Sequence, residues 1–189
     1  MNKIITFLGL ITLFSNSFAY AANSEIQEKK AVYQVAKNYA TAIACETTFE
    51  SDGNPAMKAS LKDIYTLSFS QNEDEGGSDY LVFWGGDVGC AGGSGTYSGY
   101  LTSVSRISSS RPFLVQEQDV LENVKGINPR FFESVAIAAN KHLVIVGSDY
   151  CNCKADGGNN FPAYKYRYEL AQVQGQWKLV NKKFLGKNS

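Results

Sequence analysis

From Ser24 onward the apolar positions of this chain fall into two regimes. In the first, Val32, Val35, Tyr39 and Ile43 recur every three or four residues, the spacing of one face of a helix. Ser24 stands at an N-cap position with Gln27 three residues on, as in a capping box. Ala31, Ala36, Ala40 and Ala42 would keep such a helix slim enough for close packing, and Cys45 falls at or just past its end. The turn-rich ESDGNP, residues 50–55, then breaks the pattern.

Beyond that break the period shortens to two or dissolves into apolar runs. DIYTLSFS (63–70), YLVFW (80–84) and YLTSVSRI (100–107) read as strands, while ESVAIAA and HLVIVG flank Asn140-Lys141 as a two-residue hairpin turn. In the last pair Tyr164, Tyr166, Tyr168 and Leu170 share one face, and Lys165, Arg167 and Glu169 share the other. Gln174-Gly175 turns the chain into QWKLVNKKFL, which sets Leu170 opposite Leu179 and Tyr164 opposite Leu185. Residues 111–131 are expected to begin as a strand and pass through a helical turn before Pro129. One helix followed by strands predicts an α+β fold. The N-terminal amphipathic helix would pack on a predominantly antiparallel β-sheet of about six or seven strands, disulfide-stabilised.

The first 21 residues have a different character. Lys3 precedes the apolar run IITFLGLITLF (4–14), and Ala19 and Ala21 follow at the spacing of a signal-peptidase site. The run is shorter than the roughly 20 apolar residues a membrane-spanning helix needs. The reading is a signal peptide over 1–21 and a single globular α+β domain over 22–189, periplasmic or secreted, without a membrane span in the mature chain. Lysines plus arginines equal aspartates plus glutamates, 18 each. That balance argues against nucleic acid as a partner.

Export changes the meaning of the cysteines. Cys45, Cys90, Cys151 and Cys153 in an oxidising compartment predict two disulfides. Closing Cys151-Asn152-Cys153 on itself makes a small strained ring, so the preferred connectivity joins Cys90 to one member of that pair and Cys45 to the other. Cys90 sits in GGDVGCAGGSG (85–95), a loop whose glycines permit tight paths and whose flexibility a crosslink would offset. A weak repeat supports that pairing. LVFWGGDVGC from Leu81 aligns with LVIVGSDYCNC from Leu143, matching Gly85 with Gly147 and Asp87 with Asp149. If both strands lay in one sheet, the loops at 86–100 and 151–163 would be crosslinked neighbours.

Candidate chemistry thins out on inspection. His142 is the only histidine and opens an apolar strand. GGSGT around Ser94 departs from the G-x-S-x-G nucleophile turn because position 96 is threonine. No Gly-Lys-Ser/Thr follows the glycine loop, and DGGNN (156–160) lacks the acidic spacing of an EF-hand. The cysteine spacing is not that of a zinc site. The expectation is therefore no catalytic residue, no metal and no cofactor. The leading functional reading is an exported bacterial non-enzymatic binding protein of inhibitor or immunity type, whose partner is another envelope or extracellular protein. Its contact residues would be Tyr97 and Tyr100 with Ser94, Asp87 and Asp149, in loops rich in Gly, Ser and Tyr. The competing reading is a small extracytoplasmic hydrolase with a carboxylate-based active site, for which Asp87 and Asp149 would have to converge.

Overall fold

In a computed structural model the described residues are 25–50, 58–70, 76–90, 96–127, 131–149 and 164–187. The signal-peptide region, the Ser24 cap, Ser94, Cys151 and Cys153 lie outside them. Helix α1 spans residues 25–43. Its fully buried line is Val32, Ala36 and Ala40, with Glu28 one turn earlier. Tyr33, Val35 and Ile43 pack along the margins. The centre of the stripe is thus made of alanines, where the periodicity had placed Val35 and Tyr39. Small side chains let the helix axis approach the sheet closely, and the larger residues close the sides.

The helix passes directly into β1 (Ala44–Thr47), so Cys45 is a strand residue. Four further strands complete the first sheet: β2 (Ile64–Ser68), β3 (Ser78–Val88), β4 (Ser98–Arg106) and β5 (Leu114–Glu117). Its order is β1-β3-β4-β5, and β2 pairs β3 as well. The eleven-residue β3 accommodates both short strands along one side, with Ala44 opposite Val88 and Ile64 opposite Val82. The second sheet is an antiparallel meander of β6 (Phe132–Ile137), β7 (Leu143–Asp149), β8 (Tyr164–Val173) and β9 (Gln176–Lys187).

Alternation along β3 explains how the layers stack. Tyr80, Val82 and Trp84 face α1, joining Val32, Ala36, Ile64 and Val104 in one core. Leu81 and Leu101 face the other way, against Leu143, Ile145, Tyr168 and Leu170 of the second sheet. The run YLVFW is apolar at every position because both faces of its strand are covered. The protein is a three-layer α+β arrangement of helix, five-stranded sheet and four-stranded sheet. A hydrogen bond from Tyr65 Oη to the Val135 carbonyl, 2.8 Å, ties β2 to β6 across the layers, and burial pushes that phenol up to about 12. After β5 the chain forms turns closed by Glu122 N–H to Asp119 O and Val124 N–H to Leu121 O. Val120 and Leu121 thereby cap the intersheet core.

Three expectations need correction. The β6–β7 connection is longer than a two-residue turn. Lys141 N–H donates to Ala138 O, Ala138 N–H donates to His142 O, and Lys141 itself adopts φ 62°. That geometry is a three-residue loop whose left-handed position is filled by lysine. Gln174-Gly175 is the expected two-residue turn, with φ 53° and 78°, and Leu170 does face Leu179. Tyr164, however, faces Lys187. Two bulges on the edge strand β9 leave Val180 and Leu185 without a partner residue, and edge strands tolerate such insertions best. Finally, β3 and β7 lie in different sheets, so the segments of the weak repeat face one another through Leu81 and Leu143.

The disulfide is also differently made. Cys45 is bonded to Cys90, with Cα atoms 5.2 Å apart; the preferred links from these two residues to the Cys151/Cys153 pair do not form. The ladder explains the choice. Beyond the Ala44–Val88 pair, Gly89 N–H reaches Ile43 O, and Cys90 then turns back with φ 54° toward β1.

Candidate functional site

A cleft of about 640 Å³ opens where the two sheets part. One wall comes from β3 and the start of β4, carrying Phe83, Gly85 and Gly99, with Tyr97 just ahead of β4; the opposite wall comes from the start of β6, with Phe132 and Glu133. The two glycines are cross-strand partners, Gly85 opposite Gly99, so the first wall is hollowed at one level. A Cβ on Gly85 would sit 2.7 Å from Tyr97 Oη. Any side chain there would push the Tyr97 ring off the wall. Phe83 and Phe132 approach across the cleft, with ring centroids 6.4 Å apart. Burial, with a smaller contribution from Glu46, raises the Tyr97 phenol. It therefore keeps its proton at neutral pH and can donate to a guest.

The rim is built by residues 58–63. Thr48 carries this segment on β3: Gly85 N–H donates to its Oγ1 at 3.0 Å, its N–H donates to Gly85 O, and its carbonyl accepts from Ala59 N–H. Tyr33 Oη also reaches Ala59 O. A capping box then fixes the 3₁₀ turn Leu61–Asp63. Ser60 N–H and Oγ donate to the Asp63 carboxylate at 2.8 and 3.0 Å. The turn so anchored leaves Lys58 and Lys62 exposed beside the aromatic walls. On the far side Glu133 is engaged by Lys165 and by Ser148 Oγ.

The residues singled out in the sequence divide between different places. Tyr97 lines the cleft. Tyr100 lies on the other face of β4, stacked on Trp84 at 4.7 Å on the α1 side. Asp87 ends β3 in the first sheet, with Oδ1 buried and unpaired among the described residues. Asp149 ends β7 in the second sheet and accepts from Tyr168 Oη and Lys182 Nζ. Sequence reasoning missed Lys58, Lys62, Phe83, Phe132 and Glu133. A usable signal was present: glycines inside two strands, Gly85 and Gly99, mark a place where something approaches the backbone closely.

His142 Nδ1, one residue ahead of β7, pairs with Glu169 of β8 at 2.8 Å. The His142 hydrogen bond is the main reason the Glu169 carboxyl lies below its ordinary 4.5, with further help from Asn140 and Arg167. A depressed carboxyl stabilises the fold above its unfolded value and loses that contribution as pH falls through the folded one. Glu169→Gln should therefore be less stable than the parent near neutrality. The gap between their urea midpoints should close as pH drops below 4.5. A gap unchanged in strong acid would show that the pair contributes nothing.

The chain matches no protein-family model, no curated protein and no solved structure. Among the described residues no helix is long and apolar enough to cross a membrane.

Proposed function

We propose that this is an exported bacterial binding protein without catalytic activity of its own, of inhibitor or immunity type, which engages another envelope or extracellular protein through the cleft between its sheets. The observation that carries this reading is the cleft itself. Aromatic walls and a few placed polar groups are what recognition sites offer, and an anchor side chain of a partner needs such a pocket. The Cys45–Cys90 bond supports an oxidising compartment. A carboxylate-based hydrolase is the weaker reading. The two acids on this cleft, Asp63 and Glu133, are held by a capping box and by Lys165 with Ser148, respectively.

The test begins with chemical crosslinking and co-purification from the native envelope, followed by titration of the recovered protein. Tyr97→Ala should weaken binding by about 1–2 kcal/mol, as loss of an interface tyrosine does. Tyr100→Phe, which keeps the ring on Trp84 and changes nothing in the cleft, should bind as the parent does. Full binding by folded Tyr97→Ala, or turnover of the recovered protein, would overturn the proposal.

A further inference from the structure

A second groove adjoins the first, on the outer side of residues 58–62. It encloses about 690 Å³ and is lined by Lys30, Tyr33, Lys58, Ala59, Ser60, Leu61 and Lys62. Among the described residues lining it, three are cationic and none is acidic. Among the described residues Lys30, Lys58 and Lys62 enter no ion pair, whereas Lys29, Lys165 and Lys182 each hold a carboxylate. The adjoining acid, Asp63, lines only the first cleft and accepts from Ser60. Like charges gathered on one groove repel one another unless a counter-charge is supplied from outside. Lys58 and Lys62 line both spaces, so the 58–62 ridge is a shared wall between an aromatic cleft and a cationic groove.

From this juxtaposition we infer that the two spaces form one composite site for an acidic peptide segment of a partner protein. An aromatic or large aliphatic side chain rests on the floor made by the Phe83 and Phe132 rings, beside Tyr97, and flanking carboxylates are taken by Lys30, Lys58 and Lys62. This rests on the binding-protein reading above and adds to it the chemistry of the partner. Tyr33 and Leu61, the latter 37 % exposed, give the groove an apolar bed on which the stems of the lysines and of the peptide can lie.

The experiment is a two-dimensional NMR titration of the oxidised protein with the N-acetylated, C-amidated pentapeptide Glu-Glu-Phe-Glu-Glu. Its counterparts Gln-Gln-Phe-Gln-Gln and Glu-Glu-Ala-Glu-Glu are titrated alongside. The acidic aromatic peptide should shift the amides of residues 58–62 and 83–85 saturably. It should bind about tenfold more tightly than either counterpart and weaken as salt is added. Lys30→Glu/Lys58→Glu/Lys62→Glu should abolish those shifts, and the corresponding Lys→Gln triple provides the same reading should charge reversal disturb folding. Equal binding of the glutamine peptide, shifts confined to other residues, or no saturation at millimolar peptide would each overturn the inference. The partner recovered from the envelope separates the two levels. Binding weakened in Tyr97→Ala but unchanged in the lysine triple refutes the acidic segment and leaves the cleft reading standing. Binding unchanged in both refutes the cleft reading itself.

Discussion

Replacing Glu28 by Ala should destabilise the fold by about 3–5 kcal/mol, the usual result of removing one partner from a buried ion pair. Glu28 is 7 % exposed on the inner face of α1. Its carboxylate receives Arg106 Nη2 and the Tyr80 hydroxyl, the latter at 2.7 Å. Arg106 also donates through Nη1 to Ser109 O and lies over the Phe113 ring, 4.9 Å from its centroid. The first turns of the helix, β3, β4 and the turn before β5 thus meet at one carboxylate. Without it, a guanidinium with only 14 % of its side chain exposed has lost its counter-charge, and Arg106 Nε is already unpaired among the described residues. The double replacement Glu28→Gln/Arg106→Met should cost much less than the two single changes together, because it removes the charges along with their desolvation. Urea midpoints of the parent, Glu28→Gln, Arg106→Met and the double variant measure the coupling, with Glu28→Ala measured beside them. A Glu28→Ala loss below about 1 kcal/mol would mean the pair behaves as a surface ion pair.

Nothing in the pattern of the sequence announced that pair. Glu28 sits on the helix as one charged residue among several, and its burial depends on Arg106, 78 positions away. What could be read was local. Tyr164 to Leu170 alternates, Gln174-Gly175 supplies the two left-handed residues of its turn, and the hairpin forms there. The same hairpin shows where alternation stops being informative. Val180 and Leu185 are ordinary strand residues, yet each is the extra residue of a bulge, and together they move Tyr164 from Leu185 to Lys187. The YLVFW run is legible as a strand, but its unbroken apolarity follows from a helix covering one face of β3 and a second sheet the other, and neither covering layer could be read from the run itself. Strand β1 was missed because four residues following a helix without a break carry too little pattern to stand out.

The cleft has the same division. Tyr97 could be proposed from loop composition, and it lines the cleft between the sheets. Lys58 and Lys62 could not, since their place on the rim follows from Thr48 linking residue 59 to Gly85. Tyr100, three residues from Tyr97, belongs to the opposite face of the strand and to the core beneath α1. Spacing alone distinguishes the two tyrosines only when the orientation of β4 is known.

Loss of the Cys45–Cys90 bond should destabilise the protein by about 4 kcal/mol, from the chain entropy that a crosslink spanning 45 positions removes from the unfolded state. The native contribution is local as well. Trp84 and Glu46 O leave room for no side chain at Gly86, where a Cβ would come within 2.7 and 2.8 Å of them, so β1 lies tightly against the end of β3. The crosslink holds the four-residue β1 in that position, one step from the Thr48 link that supports the cleft rim. Cys45→Ser/Cys90→Ser should therefore show a lower urea midpoint and, before global unfolding, faster amide exchange at Thr48 and Ala59, whose N–H groups complete the rim. Peptide mapping of the oxidised protein under non-reducing conditions should recover the residue-45 and residue-90 peptides joined. Recovery of either joined to the peptide carrying Cys151 and Cys153 would restore the rejected connectivity and remove the physical basis for a rim fixed from β1. A double serine variant with an unchanged midpoint would show instead that the β1–β3 ladder holds this corner without the sulfur bridge.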